Sequence, residues 1–284
     1  MALEIVARAS RAGGGVNEDA AGATRRGMVD TAWVLDGATG LAGREHVPDG
    51  PTDAAWLVGA LSQALRELDP GDLSPRDYFA QVIDRVGQHY RALVPDHAAL
   101  PPYALPSAAG VWVRSDGDRL DLAFQGDCVA VVEQQGVVRC FGTIDLTGSD
   151  DGLQRMIVAR QSSMPLAGPM LERLGDELRR RRARLNRTGG YWMLGTDVRA
   201  AAAMSIESFA ARPGTRVLLC SDGYWRLVDH FRRYDAAGLL AASFEQGPDA
   251  LLDQLRGLEA ADADCRATAR IKPMDDATAL LLRF

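Results

Sequence analysis

The chain has 284 residues, of which 47% are hydrophobic and 25% are charged, and its formal net charge is −6. This composition is that of a globular protein with one large domain or two small ones, and the negative charge gives no support to a nucleic-acid partner. The sequence has no stretch near the roughly 20 apolar residues that span a membrane, and MALEIVARASRAGGG lacks the apolar core of a signal peptide. The four cysteines form no CxxC pair. We therefore expect reduced thiols and a cytoplasmic protein without a membrane partner.

The predicted elements of the first hundred residues are two strands followed by two helices. Residues 3–9 alternate like a short strand, and residues 32–35 form a buried strand that ends at Asp36-Gly37. Apolar residues at helical spacing predict helices over 52–68 and 74–93, the second with Ser74 as N-cap and Pro75 at its first helical position.

The rest of the chain adds further strands and two more blocks of helix. The predicted strands are 110–114, 120–123, 129–133, 137–141, 190–194, 217–220 and 277–284. The predicted helices lie within 150–188 and near 236–246 and 248–260. Strands and helices come in blocks and do not alternate strictly, which favours antiparallel sheets covered by helices. We expect one domain over residues 1–284.

Acidic residues recur where predicted strands begin or end. The acidic pairs and Asp-Gly steps are Glu18-Asp19, Asp36-Gly37, Gly126-Asp127, Asp222-Gly223 and Asp275-Asp276. A single Asp-Gly after a strand is usually a turn, but this number in one chain is harder to explain in that way. If the strand ends converge, aspartates without basic partners would form a site for hard cations, Mg²⁺ or Mn²⁺.

Two such ions a few Å apart would suit phosphoester hydrolysis, because they activate a water and neutralise the phosphate oxygens. The sequence shows no GxxxxGK loop, HExxH motif or Rossmann fingerprint that would favour another chemistry. The four histidines share no ligand spacing. His46, which follows the Asp36 motif, is a candidate general acid.

Five motifs in this order resemble the PP2C-type, metal-dependent Ser/Thr protein phosphatases. They are NEDA (17–20), VLDGATG (34–40), GDC (126–128), LCSDGYWRLVD (219–229) and DDATALLL (275–282). The resemblance covers essentially the whole chain. It implies an α+β fold in which two packed antiparallel β-sheets are flanked by helices, with a binuclear Mn²⁺ or Mg²⁺ centre at one end.

The resemblance also implies which residues bind the two ions. Asp36 would bridge both ions, and the carbonyl of Gly37 would bind one of them. Asp222 and Asp275 would bind the other ion. A water between the ions would attack phosphorus directly, without a phosphoenzyme.

Three further acids receive supporting roles from the resemblance. Glu18 and Asp19 would hold metal-bound waters, and Asp127 would serve a third, weaker ion together with Asp222. The catalytic set implied in this way is Asp36, Asp222, Glu18 and Asp19.

The sequence departs from the family pattern at the phosphate-binding position. Members usually carry an arginine four residues before the first Glu, where this chain has Gly14, and the nearest basic residue upstream is Arg11. Arg11 is therefore the predicted phosphate-binding residue. A histidine of the eukaryotic enzymes is replaced by Ala38.

An Arg-rich segment, about 150–188, takes the place of the family's variable flap. Its arginines include Arg179 to Arg182, Arg184 and Arg187. They form a solvated helix face, or else some of them supply the phosphate-binding group missing at Gly14 or dock an acidic partner.

The leading hypothesis is a bacterial signalling phosphatase of phosphoserine and phosphothreonine in proteins, whose partner is a Ser/Thr kinase or the target of such a kinase. Two alternatives stay open. One is a phosphatase of a small phosphorylated metabolite. The other is a pseudophosphatase-like module that binds a phosphorylated partner.

Overall fold

Two five-stranded antiparallel sheets form the centre of the computed structural model, which describes residues 2–48, 50–142 and 170–284, with the backbone alone at 170–174. Sheet I has the strand order β1-β10-β9-β6-β7, and sheet II has the order β2-β3-β4-β5-β8. The strands are β1 Glu4–Arg11, β2 Asp19–Arg26, β3 Val29–Gly37, β4 Ala108–Ser115, β5 Arg119–Gln125, β6 Val129–Gln134, β7 Val137–Phe141, β8 Ser205–Ala210, β9 Arg216–Cys220 and β10 Ala277–Arg283.

Helices flank the two sheets. They are α1 Asp53–Glu67, α2 Pro75–Leu93, α3 Met170–Arg182, the short α4 Asp222–Trp225, α5 Ala236–Gln246 and α6 Pro248–Ala261. Short 3₁₀ turns lie at Pro95–Ala99, Pro102–Ala104 and Val198–Ala203. The predicted fold class, two packed antiparallel sheets flanked by helices, is confirmed.

Three apolar clusters hold these layers together. Trp33 and Leu35 of β3 pack against α1 and α2, whereas Val34 packs between the sheets. Successive side chains of a strand point to opposite faces, so a strand buried on both faces is apolar at every position. On the other side, Leu218 and Leu281 pack against α5 and α6.

Both predicted helix starts in the first half of the chain are confirmed. Thr52 accepts a hydrogen bond from the backbone N–H of Ala55 at the start of α1, and Ser74 accepts one from Asp77 at the start of α2. A side-chain oxygen at this position satisfies an N–H group that the helix leaves without a partner.

Three features differ from the sequence prediction. The strand β2 was not predicted, since DAAGATRR has no large apolar side chains at alternate positions. The strand predicted over 190–194 is wrong, because this segment makes isolated bridges at Tyr191 and Leu194 and no ladder. The edge strand β8 was not predicted, since its mostly exposed side chains give no apolar alternation. Among the described residues, no helix is both long and apolar enough to cross a membrane.

The topology brings several strand ends to one end of the sandwich. Asp19, the first residue of β2, pairs with Asp36 near the end of β3. Arg11 at the end of β1 pairs with Ala277 at the start of β10. Because β9 lies beside β10, the residues just beyond Cys220 reach the same end.

Candidate active site

The carboxyl groups of Asp36 and Asp222, at the ends of β3 and β9, lie close enough for each to shift the pKa of the other. Burial, followed by the charges of Asp19 and Asp222, raises the pKa of Asp36 well above its ordinary value. Burial and the charge of Asp275 raise the pKa of Asp222 as well. Two ionised carboxylates at this distance repel, so the pair needs a shared proton or a cation.

Asp19 presents one satisfied and one unsatisfied carboxylate oxygen. Its side chain is buried, and its Oδ2 accepts a hydrogen bond of 2.7 Å from Ser221 Oγ. Its Oδ1 is buried and has no hydrogen-bond partner among the described residues. Burial, and then the charges of Asp222 and Asp276, raise the pKa of Asp19 to about 8 against the opposing effect of the Ser221 hydrogen bond. A buried oxygen in this state is suited to a cation or an ordered water.

Glu18 is held in place by two threonine hydroxyl groups. Thr39 Oγ1 donates to one carboxylate oxygen at 2.6 Å, and Thr52 Oγ1 donates to the other at 2.7 Å. The carbonyl of Glu18 accepts the N–H of Gly37 at 2.9 Å. The carboxylate is therefore oriented before any ligand binds, and each oxygen keeps a second acceptor position.

Gly37 is required by a close approach of two backbone segments. A Cβ added at Gly37 would lie 2.8 Å from the carbonyl oxygen of Glu18 and 3.1 Å from that of Ala54. Any larger residue would separate the end of β3 from the Glu18 segment and from the start of α1.

Two cationic side chains bind Asp275. This corrects the expectation that the clustered acids have no basic partners. Arg226 Nη2 donates to one carboxylate oxygen at 2.7 Å, and Lys272 Nζ donates to the other at 3.0 Å. Arg226 also donates to the buried Glu259 at 2.9 Å. The expectation was wrong because Arg226 lies one helical turn after Asp222 and Lys272 lies three residues before Asp275, so both reach the same carboxylate.

Asp276 organises the glycine loop between β1 and β2, a role that the sequence reasoning missed. Its two oxygens accept the backbone N–H groups of Gly13 at 2.7 Å and Glu18 at 2.6 Å. A Cβ at Gly13 would lie 2.3 Å from the backbone carbon of Asp275. One sequence feature could have indicated this role of Asp276. Asp276 directly follows Asp275, a predicted metal ligand, and the chain has a glycine-rich loop whose backbone N–H groups need acceptors.

Arg11 directs its guanidinium towards α6, where it pairs with Asp253 and lies 3.5 Å from Asp249. The side chain is 37% exposed. The predicted binding of phosphate by Arg11 stays a prediction, and it requires the guanidinium to exchange these acidic partners for the phosphate.

The described part of the Arg-rich segment contacts the loop that follows β3. Arg182 Nη1 donates to the carbonyl of Thr39 at 2.6 Å, and Arg179 Nε donates to that of Leu41 at 2.9 Å. Arg180 and Arg181 instead pair with Glu177 of the same helix. Residues 150–169 of the predicted flap lie outside the described residues.

Asp127, Cys128 and His46 occupy different surroundings. The charge of Asp127, just after β5, contributes to the raised pKa of Asp36. Burial raises the pKa of Cys128 well above its usual value, so this thiol is not a reactive thiolate. His46 forms a buried pair with Asp53, with 2.9 Å between Nδ1 and Oδ2.

The donor set fits hard divalent cations, with one restriction. The raised pKa values of Asp19 and Asp36, and the Asp19 Oδ1 without a described partner, show that these two acids are poorly compensated by positive charge. Within residues 2–48, 50–142 and 170–284, however, no three acidic, His or Cys side chains already form a ligand set for one ion. Asp275 must therefore exchange at least one of its two cations, Arg226 or Lys272, for the ion on binding.

No family model and no curated protein sequence matches the chain. Its fold is similar to that of solved bacterial enzymes. The Mycobacterium tuberculosis serine/threonine phosphatase PstP/Ppp has 17% identity and a TM-score of 0.57, covering 99% of this chain and 98% of that chain. Staphylococcus aureus Stp1, a serine/threonine phosphatase, has 13% identity and a TM-score of 0.58, covering 99% and 94%.

A PstP catalytic domain in complex with 2 manganese ions has 17% identity and a TM-score of 0.51, covering 99% of this chain and 97% of that chain. The chain therefore has the fold of the bacterial PP2C-type serine/threonine phosphatases, as the ordered motifs imply.

Proposed function

We propose that the chain is a metal-dependent phosphomonoester hydrolase of the PP2C type that acts on phosphoserine and phosphothreonine in proteins. The observation that carries the proposal is the meeting of the Asp36 and Asp222 carboxyl groups, from distant parts of the chain, in a fold shared with serine/threonine phosphatases. The partner would be a Ser/Thr kinase or its phosphorylated target, in bacterial cytoplasmic signalling.

The proposed ligands of two Mn²⁺ or Mg²⁺ ions are Asp36, the Gly37 carbonyl, Asp222 and Asp275. When bound, such ions would lower the pKa of a water and stabilise charge on the phosphoryl oxygens. Asp127 is the proposed ligand of a third, weaker ion.

Glu18 and Asp19 are the proposed water-orienting residues. Glu18 is fixed by Thr39 and Thr52, so its free acceptor positions point in defined directions. Asp19, whose Oδ1 is buried and has no described partner, is suited to accept a hydrogen bond from a water in the pocket.

Hydrolysis of p-nitrophenyl phosphate in the presence of Mn²⁺ tests the proposal. We expect activity that EDTA abolishes and that falls by about 100-fold or more in Asp36→Asn and in Asp222→Asn, since each variant removes an anionic ligand. Asp264→Asn, which changes an exposed acid paired with Arg266, should retain full activity. Full activity in both site variants would refute the assignment.

A small phosphorylated metabolite is the alternative substrate, favoured by the pairing of Arg11 with α6 and by Gly14 at the family's arginine position. Turnover of phosphopeptides should be compared with turnover of a metabolite panel. Preference for one metabolite by a large factor in kcat/KM would select this alternative.

A phospho-partner binding module without turnover is the remaining alternative, favoured by the two cations that bind Asp275. Calorimetry with a phosphoprotein and Mn²⁺ distinguishes it from an enzyme. Tight binding without phosphate release would support the binding module.

A further inference from the structure

The side chain of Lys272, the single lysine of the chain, reaches into the cluster of acidic residues. Its Nζ donates to Asp275 Oδ1 at 3.0 Å and to Thr39 Oγ1 at 2.9 Å. Thr39 Oγ1 in turn donates to Glu18 at 2.6 Å. The ammonium group therefore links the loop before β10 to the loop after β3, where the proposed metal ligands meet.

The carboxylates around this ammonium group are the same carboxylates that would bind or orient the ligands of a divalent ion. Asp275, Glu18 and Asp36 all attract Lys272. Lys272 and Arg226 together engage both oxygens of Asp275. A metal ion that binds Asp275 through the oxygen facing Lys272 must therefore displace the ammonium group.

The two cations differ in their freedom to move. Arg226 is 5% exposed and also pairs with Glu259, which is fully buried, so moving its guanidinium to solvent would break a buried ion pair. The Lys272 side chain is 33% exposed and ends in a compact ammonium on a flexible stem. Lys272 can turn towards solvent, whereas Arg226 is a fixed part of the fold.

We propose that Lys272 is a built-in counter-cation that competes with a divalent ion for Asp275. Its positive charge compensates the acid cluster when the ion is absent. It also lowers the affinity for the divalent ion that Asp275 would bind, which we call the Asp275 half of the site. The inference rests on the proposed metal site. It adds that occupancy of this half is set by competition between an ammonium group and a metal ion.

Isothermal titration of Mn²⁺ into the full chain, without substrate, tests the competition. Lys272→Met keeps the length of the stem and removes the charge. We expect this variant to bind Mn²⁺ about tenfold more tightly than the wild type, or to bind one more ion, because a competing cation is gone. Arg266→Met, which removes an exposed positive charge paired with Asp264, should bind Mn²⁺ like the wild type.

Equal or weaker Mn²⁺ binding by Lys272→Met, or no binding by either protein, overturns the proposal. Hydrolysis of p-nitrophenyl phosphate by the wild type is measured in parallel. Activity without a change in affinity refutes the counter-cation alone, whereas a gain in affinity without any activity refutes the hydrolase alone.

A second measurement needs no variant. Because Lys272 is the single lysine, its acetylation by an amine-selective reagent can be followed by mass spectrometry of one peptide. We expect Mg²⁺ to speed this acetylation several-fold, since the released ammonium moves from Asp275 towards solvent. An unchanged or slower rate at saturating Mg²⁺ contradicts displacement.

Discussion

Three acids of the site differ in what their oxygens contact, although all lie at strand ends. Both carboxylate oxygens of Glu18 accept hydrogen bonds from hydroxyl groups, and both carboxylate oxygens of Asp275 accept hydrogen bonds from cationic side chains. Asp19 keeps one buried oxygen without a described partner. The readiness of each acid to bind a cation therefore depends on its neighbours, with Asp19 the least compensated and Asp275 the most.

Gly37→Ala tests the close approach at the end of β3. The new methyl group would meet the Glu18 and Ala54 carbonyl oxygens at 2.8 and 3.1 Å, so the segments must separate. We expect thermal denaturation to show a loss of about 1–3 kcal/mol in the free energy of unfolding. Mn²⁺-dependent activity should fall by about tenfold or more, since a shift of about 1 Å can impair catalysis strongly.

The matched control is Gly59→Ala in α1. Gly59 is exposed, and an added Cβ meets no described atom within 4 Å. Alanine is favoured over glycine inside a helix by about 1 kcal/mol, so this variant should be slightly more stable and fully active. Equal behaviour of the two variants would show that the contact at Gly37 is unimportant.

The acids of the site could be predicted from sequence, whereas their cations could not. Asp36 and Asp222 each follow an apolar strand and precede a glycine, a local pattern visible in the chain. Lys272 carries no such pattern, and its partner Thr39 is more than 200 residues away. Contacts of this kind depend on the path of the loops, which local periodicity does not specify.

At the scale of elements, α3 supports the loop between β3 and α1. Arg179 and Arg182 donate to the carbonyls of Leu41 and Thr39 in this loop. Thr39 in turn contacts Glu18 and Lys272 through its side chain. The last turn of α3 is therefore connected to the proposed site through the position of Thr39.

Arg182→Ala should weaken the site without unfolding the protein. Loss of a charged hydrogen bond to the Thr39 carbonyl, worth about 1.5–3 kcal/mol, would free the loop that orients Glu18. We expect kcat/KM for p-nitrophenyl phosphate to fall by about tenfold and the melting temperature to fall by a few degrees, with the protein still folded. Arg180→Ala, in which the lost arginine pairs with Glu177 on the same helix, is the control and should keep normal kinetics. Indistinguishable kinetics in the two variants would exclude this positioning role.

Helix starts were more predictable than the two edge strands of sheet II, β2 and β8. Thr52 and Ser74 signal the starts of α1 and α2 through a contact with a residue three positions ahead. β8 is stabilised by its ladder to β5, over 80 residues away, and its own residues are mostly exposed. A strand that depends on a distant partner leaves little trace in its own sequence.

At the scale of the whole molecule, the sandwich concentrates negative charge at one end. β1 pairs with β10, the last strand, and β2 begins opposite Asp36. These pairings gather acids from the first forty residues and the last seventy. The ordered motif set indicated this meeting by resemblance, but neither composition nor periodicity could place the acids together.

The charge concentration predicts how the stability of the folded protein depends on pH. Burial and neighbouring acids raise the pKa values of Asp36, Asp19 and Asp222, that of Asp19 to about 8. In the unfolded chain these groups ionise near pH 4. Between about pH 4 and pH 8 the folded state therefore binds more protons than the unfolded state, and the free energy of unfolding falls as pH rises.

Thermal denaturation in EDTA at pH 6 and pH 8 measures this effect. Each carboxyl that stays protonated only in the folded state lowers the free energy of unfolding by up to about 1.4 kcal/mol per pH unit, so the melting temperature should be lower at pH 8. Mg²⁺ should stabilise the protein more at pH 8 than at pH 6, because at pH 6 it must compete with bound protons. Asp36→Asn keeps the size of the side chain and removes the ionisable group. This variant should show a smaller difference in melting temperature between pH 6 and pH 8. A melting temperature in EDTA that rises from pH 6 to pH 8 would show that the acids are compensated by other charges in the folded state.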